Sequence, residues 1–189
     1  GQPILWWSPD PRLVLFPDEL KISRSLRKVL RKEQFEIRFD TAFQEVIKSC
    51  ADVRTKQGEG TWIIPEMQQA YTELHQEGFA HSVESWLDGK LVGGLYGISM
   101  GQCFFGESMF STINNSSKVA LVALADFSQR VGIKLIDCQM TTPHLLSLGA
   151  REIKREVFLK ILKKHLETTS IKGLWNNGPV SMKVNLLQN

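Results

Sequence analysis

The spacing of apolar positions changes several times along this chain, and each change predicts a new element. Residues 13–16 are a short apolar run, predicting a strand after the proline-interrupted loop Ser8-Pro9-Asp10-Pro11. Leu26, Val29 and Leu30 recur at helical spacing behind Ser23, predicting a Ser-capped helix to about Lys32. Phe35-Glu36-Ile37-Arg38-Phe39 alternates strictly and predicts a strand. Phe43, Val46, Ile47 and Cys50 predict a second helix with Asp40 as its cap. The polar stretch 52–60 reads as a loop. A third helix opens at Pro65 and closes at Gly78, with Met67, Ala70, Tyr71 and Leu74 as its buried stripe.

The second half begins with strand signals. Residues 81–87 and 90–96 flank Asp88-Gly89, a strong two-residue hairpin signal, and a third strand covers 103–111. Asn114, Asn115 and Ser116 can cap a helix over 117–130 that Gly132 closes. A strand over 134–139, a short helix from Thr142-Pro143 to Gly149, a short strand and a last helix holding Val157, Phe158, Ile161, Leu162 and Leu166 complete the pattern. After Thr168 the periodicity fades. The order predicts an α+β fold, a mixed and mainly antiparallel sheet flanked by helices.

Two of the predicted strands carry polar groups in apolar surroundings. Side chains alternate along a strand, so Asp137 and Gln139 are expected on one face and Cys138 on the other. By the same rule Glu107 and Met109 share one face, and Ser108 and Phe110 the opposite one. Two carboxylates, an amide and a thioether would then line one pocket. Burying such groups is costly unless they are paired or used. A satisfied structural network is the competing reading.

Composition narrows the possibilities without naming one. At 189 residues, with 42% hydrophobic and 23% charged, the chain fits one ordinary globular domain. The net charge of +3 is too small to diagnose a nucleic-acid binder. Its distribution says more: Lys21, Arg24, Arg27, Lys28, Arg31 and Lys32 fall together with no acid among them, a candidate phosphate-contacting face. Three cysteines without CxxC spacing argue against a disulfide framework, and the four histidines have no metal-like spacing. No apolar run approaches a membrane span. Trp62, between the polar loop and a helix start, is placed equally well for the core or for stacking on a ligand. The junction 110–117 contains no glycine, which disfavours a coenzyme A pyrophosphate at the following helix.

Several segments together resemble the bacterial leucyl/phenylalanyl-tRNA–protein transferases. They include Ile4-Leu5-Trp6-Trp7-Ser8-Pro9-Asp10-Pro11-Arg12, Gly60-Thr61-Trp62-Ile63, Gly78-Phe79-Ala80-His81-Ser82-Val83-Glu84, Leu91-Val92-Gly93-Gly94-Leu95-Tyr96-Gly97, Gly106-Glu107-Ser108-Met109-Phe110-Ser111 and Ile136-Asp137-Cys138-Gln139, in that family's order. The resemblance implies an acetyltransferase (GNAT)-like fold that uses no cofactor and no metal. It implies that residues 13–189 form the aminoacyltransferase domain and that 1–12 are the remnant or linker of a small N-terminal domain. The implied activity moves Leu, Phe or Met from charged tRNA to the N-terminal Arg or Lys of acceptor proteins in the cytoplasm. That marks the acceptors for N-degron proteolysis.

Carried over residue by residue, the resemblance makes Asp137, Gln139 and Glu107 the expected catalytic group. It points to Trp62 and Met109 for substrate binding, and the expected pocket is completed by Gly106 and Ser108 of the same motif and by the apolar Leu95 and Leu124. It assigns tRNA contact to Arg24, Arg27, Lys28, Arg31 and Lys32. Two alternatives stay open, an acyl-CoA-dependent N-acetyltransferase and a non-catalytic binder of tRNA or peptides.

Overall fold

The computed structural model describes residues 8–56 and 60–176. Within them run β1 (Arg12–Leu15), a single helical turn at Pro17–Glu19, α1 (Arg24–Arg31), β2 (Glu36–Phe39), α2 (Phe43–Lys56) and α3 (Pro65–Gln76). Then come β3 (Ala80–Leu87), β4 (Lys90–Met100), β5 (Cys103–Ser111), α4 (Ser116–Val131), β6 (Leu135–Gln139), α5 (Pro143–Ser147), β7 (Arg151–Ile153) and α6 (Arg155–Leu166). The motif residues Ile4 to Trp7, and the tail beyond Asn176, lie outside the described residues.

The strands form one sheet in the order β2-β3-β4-β5-β6-β1-β7. Every pairing is antiparallel except β5 with β6, which are joined through α4. This is the expected mixed, mainly antiparallel α+β architecture. The β3–β4 hairpin turns at Asp88 and Gly89, with φ of 49° and 71°, as the two-residue signal required.

Helix α4 forms the centre of one layer. Its residues Val119 to Ala125 are all buried, packed with Leu95, Val83, Phe104 and Ile136 of the sheet and with Leu26 and Leu30 of α1. The close approach depends on Gly93, because a Cβ there would collide with the Ser116 side chain at the start of α4. On the other face Phe43, Val46, Ile47 and Cys50 of α2 and Tyr71 of α3 pack against Tyr96 and Phe110. Farther along that face Phe158 of α6 meets Val14, Cys103 and Leu135.

Three local expectations are corrected. Helix α2 continues through 52–56, where polarity alone suggested a loop. Ala70 is exposed, so the α3 stripe is narrower than its periodicity indicated. Asp40 does not cap α2. Its carboxylate instead accepts from Ser82 N at 2.8 Å and Trp175 N at 2.8 Å and pairs with His81 Nδ1 at 2.8 Å. The α2 N-terminus is capped from another strand, by Glu84 of β3, which accepts from Thr41 N at 2.9 Å and Ala42 N at 2.8 Å. A buried aspartate beside a strand's free donors has better partners than the helix that follows it in sequence.

Candidate active site

The site starts where the parallel pair comes apart. β5 and β6 are in register only from Cys103, Phe104 and Phe105 to Leu135, Ile136 and Asp137. Beyond that point β5 follows β4 and β6 follows β1. The split opens at Gly106, whose carbonyl accepts from the Gln139 side chain at 3.0 Å. A ligand can enter a sheet at such a place, because main-chain groups there are not committed to a neighbouring strand.

A bulge in β5 decides which way Glu107 points. Tyr96 pairs with Ser108 and Gly97 with Gly106, so Glu107 is the extra residue. The expected strand alternation therefore fails. Met109 packs against the α4 layer, whereas Glu107 meets the Tyr71 hydroxyl of α3 on the opposite layer. Glu107 and Met109 do not share a face.

Glu107, Gln139 and Asp137 do converge. Gln139 sits at the end of β6 with φ of 64°, a left-handed turn that brings its amide to Gly106 and Glu107. Asp137 is fully buried. Arg12 of β1 grips it with two bonds, Nε to Oδ1 at 2.9 Å and Nη2 to Oδ2 at 2.7 Å. The Gln139 backbone N–H donates to the same Oδ1 at 3.1 Å. The Arg12 guanidinium also lies 5.1 Å from the ring centroid of Phe158.

Burial pushes the Glu107 carboxyl above its ordinary range. Bonds from Tyr71 and Gln139 oppose the shift, the Asp137 charge adds to it, and Arg12 opposes it. A raised folded-state value means that Glu107 favours the folded state while protonated and loses that contribution as pH rises through the raised value. Glu107→Gln is therefore expected to match the wild-type melting temperature near pH 4 and to exceed it above the ordinary carboxylate range, the gap levelling off once pH passes the raised value. Melting curves recorded from about pH 4 upward check the sign. Burial likewise raises the Tyr71 hydroxyl, with Glu107 adding to the rise. The Cys138 thiol is pushed up to about 12 by burial, which leaves no thiolate for nucleophilic chemistry.

The other expected site residues fall into distinct places. Trp62 is 41% exposed and meets Tyr71 edge-on at 6.2 Å, so it continues the wall that begins at Glu107. Leu95 and Leu124 are buried in the α4 layer, with Met109 partly buried against them. Ser108 is turned to the α2 side, beside Cys50. Arg24, Lys28, Arg31 and Lys32 are exposed on α1, Arg27 is half-buried, and α1 packs on α4, on the face of the sheet away from Glu107. A shallow depression at the start of α6, lined by Asp10, Lys154, Arg155, Glu156 and Leu159, includes none of the polar cluster.

Two members of the cluster escaped the sequence reading of chemistry. Arg12 gave only the end of a motif, since its partner lies far away in sequence. Tyr71 carried the period of a core stripe, and nothing in that period reports where its hydroxyl ends up. Among the described residues, no group of three His, Cys, Asp or Glu is placed to hold a metal ion, and no helix is long and apolar enough to cross a membrane.

A sheet split at a parallel strand pair, with an amide and two carboxylates gathered at the split, defines a mixed α+β protein with a polar cluster where two strands part. Comparison with known proteins then fixes the family. The family model described as leucyl/phenylalanyl-tRNA protein transferase matches residues 14–163. The leucyl/phenylalanyl-tRNA–protein transferase of Aromatoleum aromaticum is 61% identical over 175 residues, 93% of this chain and 73% of that protein. The enzyme of the same name from Desulfatibacillum aliphaticivorans is 55% identical over 176 residues, 93% of this chain and 76% of its own. Among solved structures, an aminoglycoside acetyltransferase from an uncultured soil metagenomic sample, in complex with sisomicin, overlaps 71% of this chain and 88% of its own. Its TM-score is 0.46 and its identity 12%. The chain belongs to the leucyl/phenylalanyl-tRNA–protein transferase family, and it is an aminoacyltransferase.

Proposed function

We propose that the chain transfers Leu, Phe or Met from charged tRNA to the N-terminal α-amine of cytoplasmic proteins that begin with Arg or Lys, marking them for N-degron proteolysis. The aminoacyltransferase domain is taken as residues 13–189. The observation that carries the proposal is the convergence of Gln139, Glu107 and the Arg12–Asp137 pair at the split between β5 and β6, in a chain so similar to these transferases.

The amine nitrogen bonds to the ester carbonyl carbon, the bond from that carbon to the tRNA ribose oxygen breaks, and the amine proton ends on the leaving oxygen. An α-amine has an ordinary pKa near about 7.7–8.0, so a useful fraction is already the free base at neutral pH. Holding amine and ester together supplies most of the rate, with effective molarities of about 10⁵ M or more.

Gln139 is the group proposed to meet the amine. Its side-chain nitrogen is spent on Gly106 O and Glu107, which leaves Oε1 as acceptor. Glu107 takes either an amine hydrogen or the cationic side chain of the acceptor. Trp62 supports the terminal adenosine or the aminoacyl side chain. Met109, partly buried on the α4 side of β5 over Leu95 and Leu124, is the proposed contact for the Leu or Phe side chain, with the two leucines packed behind it. The adaptable thioether suits both shapes. The α1 cations contact tRNA phosphates.

The deciding experiment incubates this chain with Phe-tRNA and a peptide starting with Arg. Labelled Phe is expected at the peptide N-terminus, with ~10–200-fold less from Ile- or Val-tRNA, the range that pocket shape alone provides. Binding of Phe-tRNA without transfer would sink the enzymatic reading of this form.

A further inference from the structure

We infer that Arg12 is a positioning residue for the transfer step: it locks Asp137, and Asp137 locks the left-handed turn that aims Gln139 into the cleft. The inference rests on the proposed transfer at this site. It also removes Asp137 from direct contact with the substrate.

Three bonds occupy the Asp137 carboxylate. Arg12 supplies one to each oxygen, and Gln139 N supplies another to Oδ1. The side chain has no exposed surface. Neither an incoming amine nor the water that would relay its proton can reach it. What Asp137 does reach is the Gln139 backbone, at the position where the chain takes φ of 64°. A residue with a Cβ resists that conformation, and a bond from its own N–H to a fixed carboxylate holds it there. With the backbone held, the Gln139 amide spans to Gly106 O at 3.0 Å and its Oε1 is left for the substrate.

The carboxylate is itself fixed from β1. Leu13, next to Arg12, is in register with Gln139, so Arg12 lies alongside the end of β6. Its planar fork bonds both oxygens at once, and the Phe158 ring lies under the guanidinium. An ammonium bonds as a point charge and cannot set the plane of the carboxylate in this way. The chain of control therefore runs from Arg12 to Asp137 to the Gln139 backbone to Gln139 Oε1.

Arg12→Lys keeps the charge and removes the fork. Its kcat with an Arg-starting peptide is expected to fall about 10²-fold, as for other small misplacements of a reacting group. KM for the peptide and binding of Phe-tRNA should stay near wild type. Amide exchange over 137–140 should accelerate while the melting temperature changes little. Arg12→Gln with Asp137→Asn should transfer no more slowly than the slower of the two single variants, since both act through one pair. If Arg12→Gln does not fold, Arg12→Lys decides alone. Wild-type kcat in Arg12→Lys, or losses that multiply in the double variant, would overturn the inference while leaving the transfer reaction standing. If the unmodified chain transfers nothing from any charged tRNA, the proposed function fails and this inference fails with it.

Discussion

Asp137→Ala is expected to lower the melting temperature by roughly 6–20 °C and the transfer rate by about 10²-fold or more. Asp137 has no exposed surface and holds both arms of Arg12, which is itself only 11% exposed. Removing one partner of such a pair leaves an uncompensated buried charge, at a cost of about 3–5 kcal/mol. For a chain of this length each kcal/mol corresponds to about 2–4 °C. The catalytic loss has a separate origin, the release of Gln139 from its left-handed turn. Melting curves and single-turnover transfer at a temperature where the variant is folded separate the two. A variant that melts early but transfers at the wild-type rate would show that Asp137 is structural only.

The opposite balance is expected of Glu84→Ala, with a large loss of stability and little loss of chemistry. Glu84 is fully buried in β3. It accepts from Thr41 N, Ala42 N, the Thr41 hydroxyl, the Ser82 hydroxyl at 2.8 Å and Trp86 Nε1 at 3.1 Å. Each buried donor left without a partner costs about 1–3 kcal/mol. Even with water recovering some of them, a loss of about 4 kcal/mol or more is expected, against a total stability of about 5–15 kcal/mol. None of these donors touches the cleft. Urea denaturation should show the loss, and transfer per folded molecule, measured in the cold, should stay within about threefold of wild type. A drop comparable to that of Asp137→Ala would mean that the cap of α2 is coupled to the split in the sheet.

Sequence and structure agree best where a signal is local. The Asp88-Gly89 hairpin, the Ser23 cap with its 3.2 Å bond to Leu26 N, and the apolar stripe of α2 each depend on residues a few positions apart. The three candidate residues that converge stood out because polar groups inside apolar strands are costly enough to need a reason. Their directions were not legible. Alternation placed Glu107 with Met109, and one extra residue in β5 undid it. Asp40 looked like a cap because it precedes a helix, but Ser82, His81 and Trp175 claim it from across the fold. Trp175 gave no signal in the fading periodicity after Thr168, yet it is buried and stacked on His81 at 3.8 Å.

By itself, then, the sequence determined the order of strands and helices, the main apolar face of most of them, and which polar residues are out of place enough to be chemical candidates. These follow from propensity and period, which act over a few residues. Only the tertiary structure decided that β5 and β6 separate after Phe105 and Asp137, and that a bulge turns Glu107 toward Tyr71. Only it decided that Arg12 spans 125 positions of sequence to hold Asp137. Long-range pairing depends on how strands from distant parts of the chain come to lie side by side, and no local pattern encodes that.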